Sequence, residues 1–201
     1  MLKKILFLIA LYVGSALSHS NKYIITGGPC CGKTTTLNEL RKRGYQVCPE
    51  AFGQLYQEAK NQGALQEFLK PTIAQRYLVM NRHVQLEAAL DTSKPAFLDR
   101  GIPDVIFYGY YLKLDMPEDL MQMFEAHRND YALVFFFEPV PTYYSTPLPI
   151  EHKERHESQQ EALAIHKTLL EGYERYGFTI IHVPFDSIDK RIDFILKHVQ
   201  H

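Results

Sequence analysis

Residues 27–34 read Gly-Gly-Pro-Cys-Cys-Gly-Lys-Thr, a G-x-x-x-x-G-K-T pattern. No other stretch constrains the fold as tightly, because this pattern has meaning only between a strand and a helix. Both flanks are present. Residues 22–26, Lys-Tyr-Ile-Ile-Thr, are β-branched and aromatic and predict a strand. Residues 35–43 predict a helix stopped by Gly44. In such a loop Gly27, Gly28 and Gly32 let backbone N–H groups curl around a phosphate, with Pro29, Cys30 and Cys31 completing the arc. The helix start at Thr34 and Thr35 adds partial positive charge aimed at the same anion. Lys33 is expected to reach the β- and γ-phosphates, and the Thr34 hydroxyl to ligate Mg²⁺.

The rest of the chain alternates between short apolar runs and amphipathic stretches. Tyr45 to Cys48 predict a second strand, ended by Pro49-Glu50. Helix follows over 51–61, with a short turn at 64–70. Thr72 caps a long helix to about residue 90, whose apolar positions Ile73, Tyr77, Met80 and Val84 form one face. Gln75, Arg76 and Arg82 are expected elsewhere on its surface. Residues 95–101 predict a third strand with a charged end, followed by helices over 103–112 and 117–128. Residues 131–137, Tyr-Ala-Leu-Val-Phe-Phe-Phe, suit a strand covered on both faces. Residues 139–150 hold four prolines and predict a loop. A helix over 157–176, a fifth strand over 178–183 and a last helix capped by Ser187 complete the chain. Alternating strands and helices imply an α/β fold: a three-layer α/β/α domain with a five-stranded parallel sheet, ligands sitting at the strand carboxyl ends. One domain is expected over 20–201.

A net charge of −1 and the lack of a basic run argue against a nucleic-acid surface. Three cysteines make no disulfide framework, and read as small thiols in a reducing compartment. The N-terminus pulls the other way. Met1-Leu2-Lys3-Lys4 precedes an almost wholly apolar stretch to Leu17, with small residues at 16 and 18. Residues 1–19 are either a cleaved export signal or a membrane-associating helix. Nucleotide chemistry suits the cytoplasm, whereas this segment suits export or membrane contact.

Polar groups punctuate the predicted strand ends. Asp99 can hold Mg²⁺ through its waters opposite Thr34, or cap the helix that follows. Arg100 adds an anion-binding fork beside it. Glu50 can take the proton of a substrate hydroxyl, bind that hydroxyl, or satisfy a helix dipole. Arg155, in the charged run after the proline-rich loop, is a candidate γ-phosphate clamp. Glu138 reads as a loop carboxylate and His166 as a packing histidine.

Ile24 to Thr35, the Val47-Cys48-Pro49-Glu50-Ala51 stretch, Phe97-Leu98-Asp99-Arg100-Gly101-Ile102-Pro103-Asp104, Phe136-Phe137-Glu138-Pro139 and Arg155-His156-Glu157 together resemble the NadR-like P-loop ATPase/kinase domain, often called an AAA-type ATPase domain. The resemblance covers about residues 22–197. It implies the fold of nucleoside and nucleotide kinases, with a sheet of order 2-3-1-4-5. By it, Lys33 and Thr34 bind triphosphate and Mg²⁺, Asp99 assists the metal, and Arg100 contacts substrate or phosphate. Gln75 and Arg82 are similar to the substrate helix of deoxynucleoside kinases. The chain departs from the family where Phe52-Gly53-Gln54 stands in place of a continuation to arginine. Two functions follow as expectations. One is a kinase that moves the γ-phosphate of Mg-ATP to a nucleoside-like hydroxyl. The other is an ATP- or GTP-dependent switch or ATPase that binds a protein or lipid partner. The lack of an N-K-x-D signature favours ATP over GTP.

Overall fold

A computed structural model of the chain describes residues 20–139 and 158–199. Five strands form one all-parallel sheet in the order β2-β3-β1-β4-β5. They are β1 (Lys22–Thr26), β2 (Gln46–Cys48), β3 (Ala96–Asp99), β4 (Leu133–Phe137) and β5 (Ile180–Val183). Helices α1 (Lys33–Lys42), α2 (Ala51–Asn61), α3 (Leu65–Phe68), α4 (Ile73–Ala88), α5 (Ile102–Tyr111), α6 (Glu118–His127), α7 (Gln159–Arg175) and α8 (Ile188–Leu196) connect and cover them.

Side-chain alternation along the central strands divides the interior into two cores. Tyr23 and Ile25 of β1, with Phe135 and Phe137 of β4, pack against Leu37 and Leu40 of α1 and Ile192 and Ile195 of α8. Ile24, Val134 and Phe136 point the other way, into α4, α5, α6 and α7. Each central strand is therefore buried on both faces, as its unbroken apolar sequence requires. The result is the three-layer α/β/α sandwich with strand order 2-3-1-4-5 that the sequence resemblance implies.

Local chemistry sets the helix ends. Thr72 caps α4 by accepting from the Gln75 amide at 3.2 Å. Ser158 and Glu161 form a reciprocal capping box that starts α7 two residues later than expected. Helix α5 begins at Ile102 because the Asp104 carboxylate reaches back to the Gly101 amide at 2.9 Å. Asp99 therefore caps nothing and is left to the cleft.

On α4 the expected surface positions need correction. Arg82 lies on the outer side, but Gln75 and Arg76 are buried, along with Val79, Met80, His83 and Glu87. The inward stripe is rotated from the apolar one, because this helix packs polar groups against its neighbours.

Candidate functional site

The loop between β1 and α1 leaves the carboxyl end of the central strand. Gly27 and Gly32 have φ +132° and +85°, and Cys30 has φ +61°, which folds the backbone into a concave turn. Contacts behind the loop hold it close. A Cβ on Gly27 would lie 2.7 Å from the Phe137 carbonyl, and one on Gly28 would lie 2.9 Å from the His166 Cβ. The first backbone rung into α1 runs from Thr36 N–H to Gly32 C=O at 3.2 Å. The amides of Lys33, Thr34 and Thr35 thus precede the helix ladder and are open to an anion. Pro29 is buried with the two leading glycines, whereas the Thr34 and Thr35 side chains are exposed.

Lys33 is buried at 7% exposure, and its ammonium donates to the carbonyls of Gly27 and Gly28 at 3.2 and 2.7 Å. A third contact reaches Cys31 Sγ at 3.4 Å. The Cys31 thiol donates in turn to the Gly28 carbonyl at 2.9 Å. None of the three cysteines is in a disulfide.

Two residues that the sequence reading left outside the site brace this loop. His166 of α7 accepts from the Gly28 amide at Nδ1, 3.3 Å away, and stacks edge-on against Phe136. Burial lowers its pKa, and the nearby Lys33 charge adds to that effect. His166 is thus the neutral acceptor this contact needs. Arg191 of α8 donates from Nη1 to the Cys31 carbonyl at 3.2 Å, with its guanidinium near the Phe137 and Phe185 rings. Its Nη1 would stand 2.4 Å from any Cβ at position 32, so Gly32 is needed for space as well as for conformation. Both residues come from helices far away in sequence. No local sequence pattern signals either contact.

Across from the loop, the ends of β2 and β3 carry an acid–base cluster. Ile25 is in register with Asp99, and Leu98 with Cys48, so Glu50 and Asp99 leave neighbouring strands at the same level. Arg100 has φ +66°, and this strained turn swings its side chain inward. Its guanidinium donates from Nε to Glu50 Oε1 at 3.0 Å, and from Nη1 to Asp104 Oδ1 at 3.2 Å and Thr26 Oγ1 at 3.4 Å. Nη2 donates to the Tyr108 hydroxyl at 3.2 Å, and the group lies 4.9 Å from the centre of that ring. Desolvation opposes the charge. Tyr108, Asp104, Glu50 and Asp99 outweigh it and hold the Arg100 pKa well above the ordinary arginine value.

Asp104 anchors this cluster. Its Oδ1 also accepts from Thr26 Oγ1 at 2.6 Å, and its Oδ2 from the Gly101 amide at 2.9 Å and the Tyr173 hydroxyl at 2.6 Å. Thr26 ends β1 just before the glycine loop, so the cluster is wired to the loop. Asp99 is different. Burial, then repulsion from Glu50, push its pKa up from 3.8 to about 6, while Lys33 and Arg100 pull it down. A carboxylate held this way is short of positive charge. An exposed threonine hydroxyl at the helix start and an under-compensated carboxylate at the next strand end are donors suited to a hydrated Mg²⁺. Among the described residues, no group of three or more His, Cys, Asp and Glu side chains forms a direct metal cage. A water-rich Mg²⁺ site needs none.

The remaining expected site residues lie apart. Gln75 donates to the Phe68 carbonyl and accepts from Arg76, so both ends of its amide are engaged. Arg82 forms a two-pronged pair with Glu58 at 2.7 and 2.9 Å and contacts Gln54 at 3.1 Å, on the outer side of α2 and α4. These contacts tie both side chains to groups of the protein itself. Glu138 pairs with His182 at 2.7 Å, as a loop carboxylate. Arg155 and the segment 1–19 lie outside the described residues. Among the described residues, no helix is long and apolar enough to cross a membrane.

A parallel sheet of this order, with a glycine loop running from its central strand into a helix, defines a P-loop domain. A family model described as an AAA domain matches residues 22–191, and the chain belongs to that family. No curated protein sequence matches it. NadR in complex with NR superposes with a TM-score of 0.62 at 14% identity, covering 91% of this chain and 52% of NadR. The chain thus spans about half of that protein. Thymidylate kinase from Ehrlichia chaffeensis gives a TM-score of 0.61 at 14% identity, over 90% of this chain and 98% of that one. Deoxyadenosine kinase from M. mycoides gives 0.55 at 17% identity, over 88% and 96%. At these identities the likeness is one of fold.

Proposed function

We propose that this chain is a small-molecule kinase that transfers the γ-phosphate of Mg-ATP to a hydroxyl of a nucleoside-like acceptor. One observation carries the reading. Arg100 ties Glu50 to Thr26, so a candidate base and the phosphate loop belong to one hydrogen-bonded frame.

The loop amides and Lys33 bind the triphosphate, the ammonium leaving the Gly27 and Gly28 carbonyls for β- and γ-oxygens. GTP is the alternative nucleotide. Thr34 and Asp99 would hold Mg²⁺, which supplies charge neutralisation along the phosphates. Glu50 offers Oε2 to the acceptor: among the described residues only its Oε1 receives a hydrogen bond, from Arg100. As the acceptor oxygen bonds to the γ-phosphorus and the bond to the β–γ bridging oxygen breaks, Glu50 takes the proton and ADP departs. Positioning and charge stabilisation do most of the work.

Incubating the full-length protein with γ-labelled ATP, Mg²⁺ and a metabolite extract tests this. The kinase reading predicts label in a small molecule. Label found solely in free phosphate would favour the switch or ATPase instead.

A further inference from the structure

A second arginine faces the same side of the cleft, and the mechanism above does not use it. Arg76 of α4 is 4% exposed. Its Nη2 donates to the neutral Gln75 amide, and its Nε has no partner. No carboxylate among the described residues lies within ion-pair distance of it. Buried guanidinium groups are as a rule paired, because an uncompensated charge in the interior is costly. Burial lowers its pKa to about 10, with the Tyr108 hydroxyl as the opposing influence.

The position of Arg76 shows what the vacancy faces. The buried stripe of α4 runs Arg76, Met80, His83, Glu87. At its far end Glu87 meets Lys22, the first residue of β1, at 3.2 Å, and takes a bond from Tyr131 at 3.0 Å. Eleven residues of helix, or about 16 Å, separate that end from Arg76. Arg76 therefore lies toward the strand carboxyl ends. There it feels Tyr108, whose hydroxyl holds Arg100, which holds Glu50. Tyr108 thus bonds to Arg100 and is also the influence that opposes burial at Arg76. Arg100 is matched by Glu50 and Asp104, whereas among the described residues Arg76 is matched by no carboxylate.

We propose that Arg76 receives an oxyanion carried by the phosphate acceptor, so that the acceptor is itself a phosphomonoester or a carboxylic acid. This rests on the kinase reading for the word acceptor, but the anion site can be tested without catalysis. A planar fork with an open Nε–H suits two oxygens of one anionic group. Gln75 then acts as a positioning residue: bonded to the Phe68 carbonyl, it fixes the outer edge of the fork.

Thermal unfolding of full-length wild-type, Arg76→Met and Arg76→Lys proteins is compared in phosphate and in chloride at matched ionic strength. Phosphate should stabilise wild type more than Arg76→Met, the difference being the part that does not come from the glycine loop. Arg76→Lys should recover part of it. In chloride, Arg76→Met should unfold at the same or a higher temperature, because it removes an unpaired buried charge. Equal phosphate shifts in wild type and Arg76→Met would overturn the proposal, as would a large loss of stability in Arg76→Met rescued by Arg76→Lys, which marks a structural role. In the labelling assay, the extract is first split on an anion exchanger. Label should enter the bound fraction, and Arg76→Met should raise the acceptor KM roughly 10- to 100-fold with kcat nearly unchanged. Label confined to the unbound, neutral fraction would contradict the proposal while leaving the kinase intact. Label in free phosphate alone, with the phosphate shift still dependent on Arg76, would break the kinase reading and keep the anion site.

Discussion

Arg100 and Arg76 are buried to nearly the same depth, yet one is complete and the other is not. Arg100 spends Nε, Nη1 and Nη2 on Glu50, Asp104, Thr26 and Tyr108. Arg76 has a neutral amide at Nη2 and no partner at Nε. Burial acts against the charge of both. The pKa of Arg100 is nonetheless raised and that of Arg76 lowered, because only Arg100 has carboxylates to offset desolvation. A buried charge that the protein satisfies belongs to the frame. One that the protein leaves unsatisfied points to something that arrives later.

The comparison breaks most severely at Arg100. Arg100→Met strips Glu50 and Asp104 of their shared cation, and should cost about 3 kcal/mol. That is the lower end for a broken buried pair, because Asp104 keeps its bonds from Thr26, Gly101 and Tyr173. At about 2–4 °C per kcal/mol for a chain of this size, the melting temperature should fall by roughly 10 °C. A fall no larger than that of Arg76→Met would erase the distinction between the two arginines.

Asp99 and Asp104 repeat the contrast among carboxylates. Asp104 accepts four hydrogen bonds, whereas Asp99 is held up at about 6 from an ordinary 3.8. A raised folded-state pKa means that the group's favourable contribution is full below pH 4 and is lost as pH rises toward 6. About two pH units correspond to at most ~3 kcal/mol at neutral pH. Asp99→Asn should therefore be the more stable protein at pH 7 and lose the downward slope between pH 4 and 6. Parallel stability curves for mutant and wild type would show that Asp99 is fully compensated after all.

The smallest effect is expected at Arg82. Its pairing with Glu58 has good geometry, but Glu58 is half exposed, and such pairs contribute little to stability. Arg82→Ala should leave stability and any transferase KM almost unchanged. A large KM effect would support the substrate role that the sequence resemblance suggests.

What the sequence revealed follows from range. The strand–loop–helix flanks of the P-loop and the Phe-rich β4 are local patterns, and periodicity together with the family resemblance carried the sheet and its order. Glu50, Asp99 and Arg100 were visible because strand ends converge in a parallel sheet. The burial of Arg76 was not visible, because hydropathy alone assigns a polar residue on an amphipathic helix to the outside. The inward stripe of α4 includes Gln75, Arg76, His83 and Glu87. The braces on the loop were hidden for a different reason. His166 and Arg191 reach Gly28 and Cys31 across 138 and 160 residues of sequence, and no local pattern carries that contact.

Glu50→Gln most directly tests whether this cleft moves a phosphoryl group onto an acceptor. Glutamine keeps an oxygen for Arg100 but cannot take a proton. ATP affinity should stay within about twofold of wild type while transfer of the γ-label to the small molecule falls by roughly 10²-fold or more. Undiminished transfer in this variant would remove Glu50 from the chemistry and contradict its role as the base.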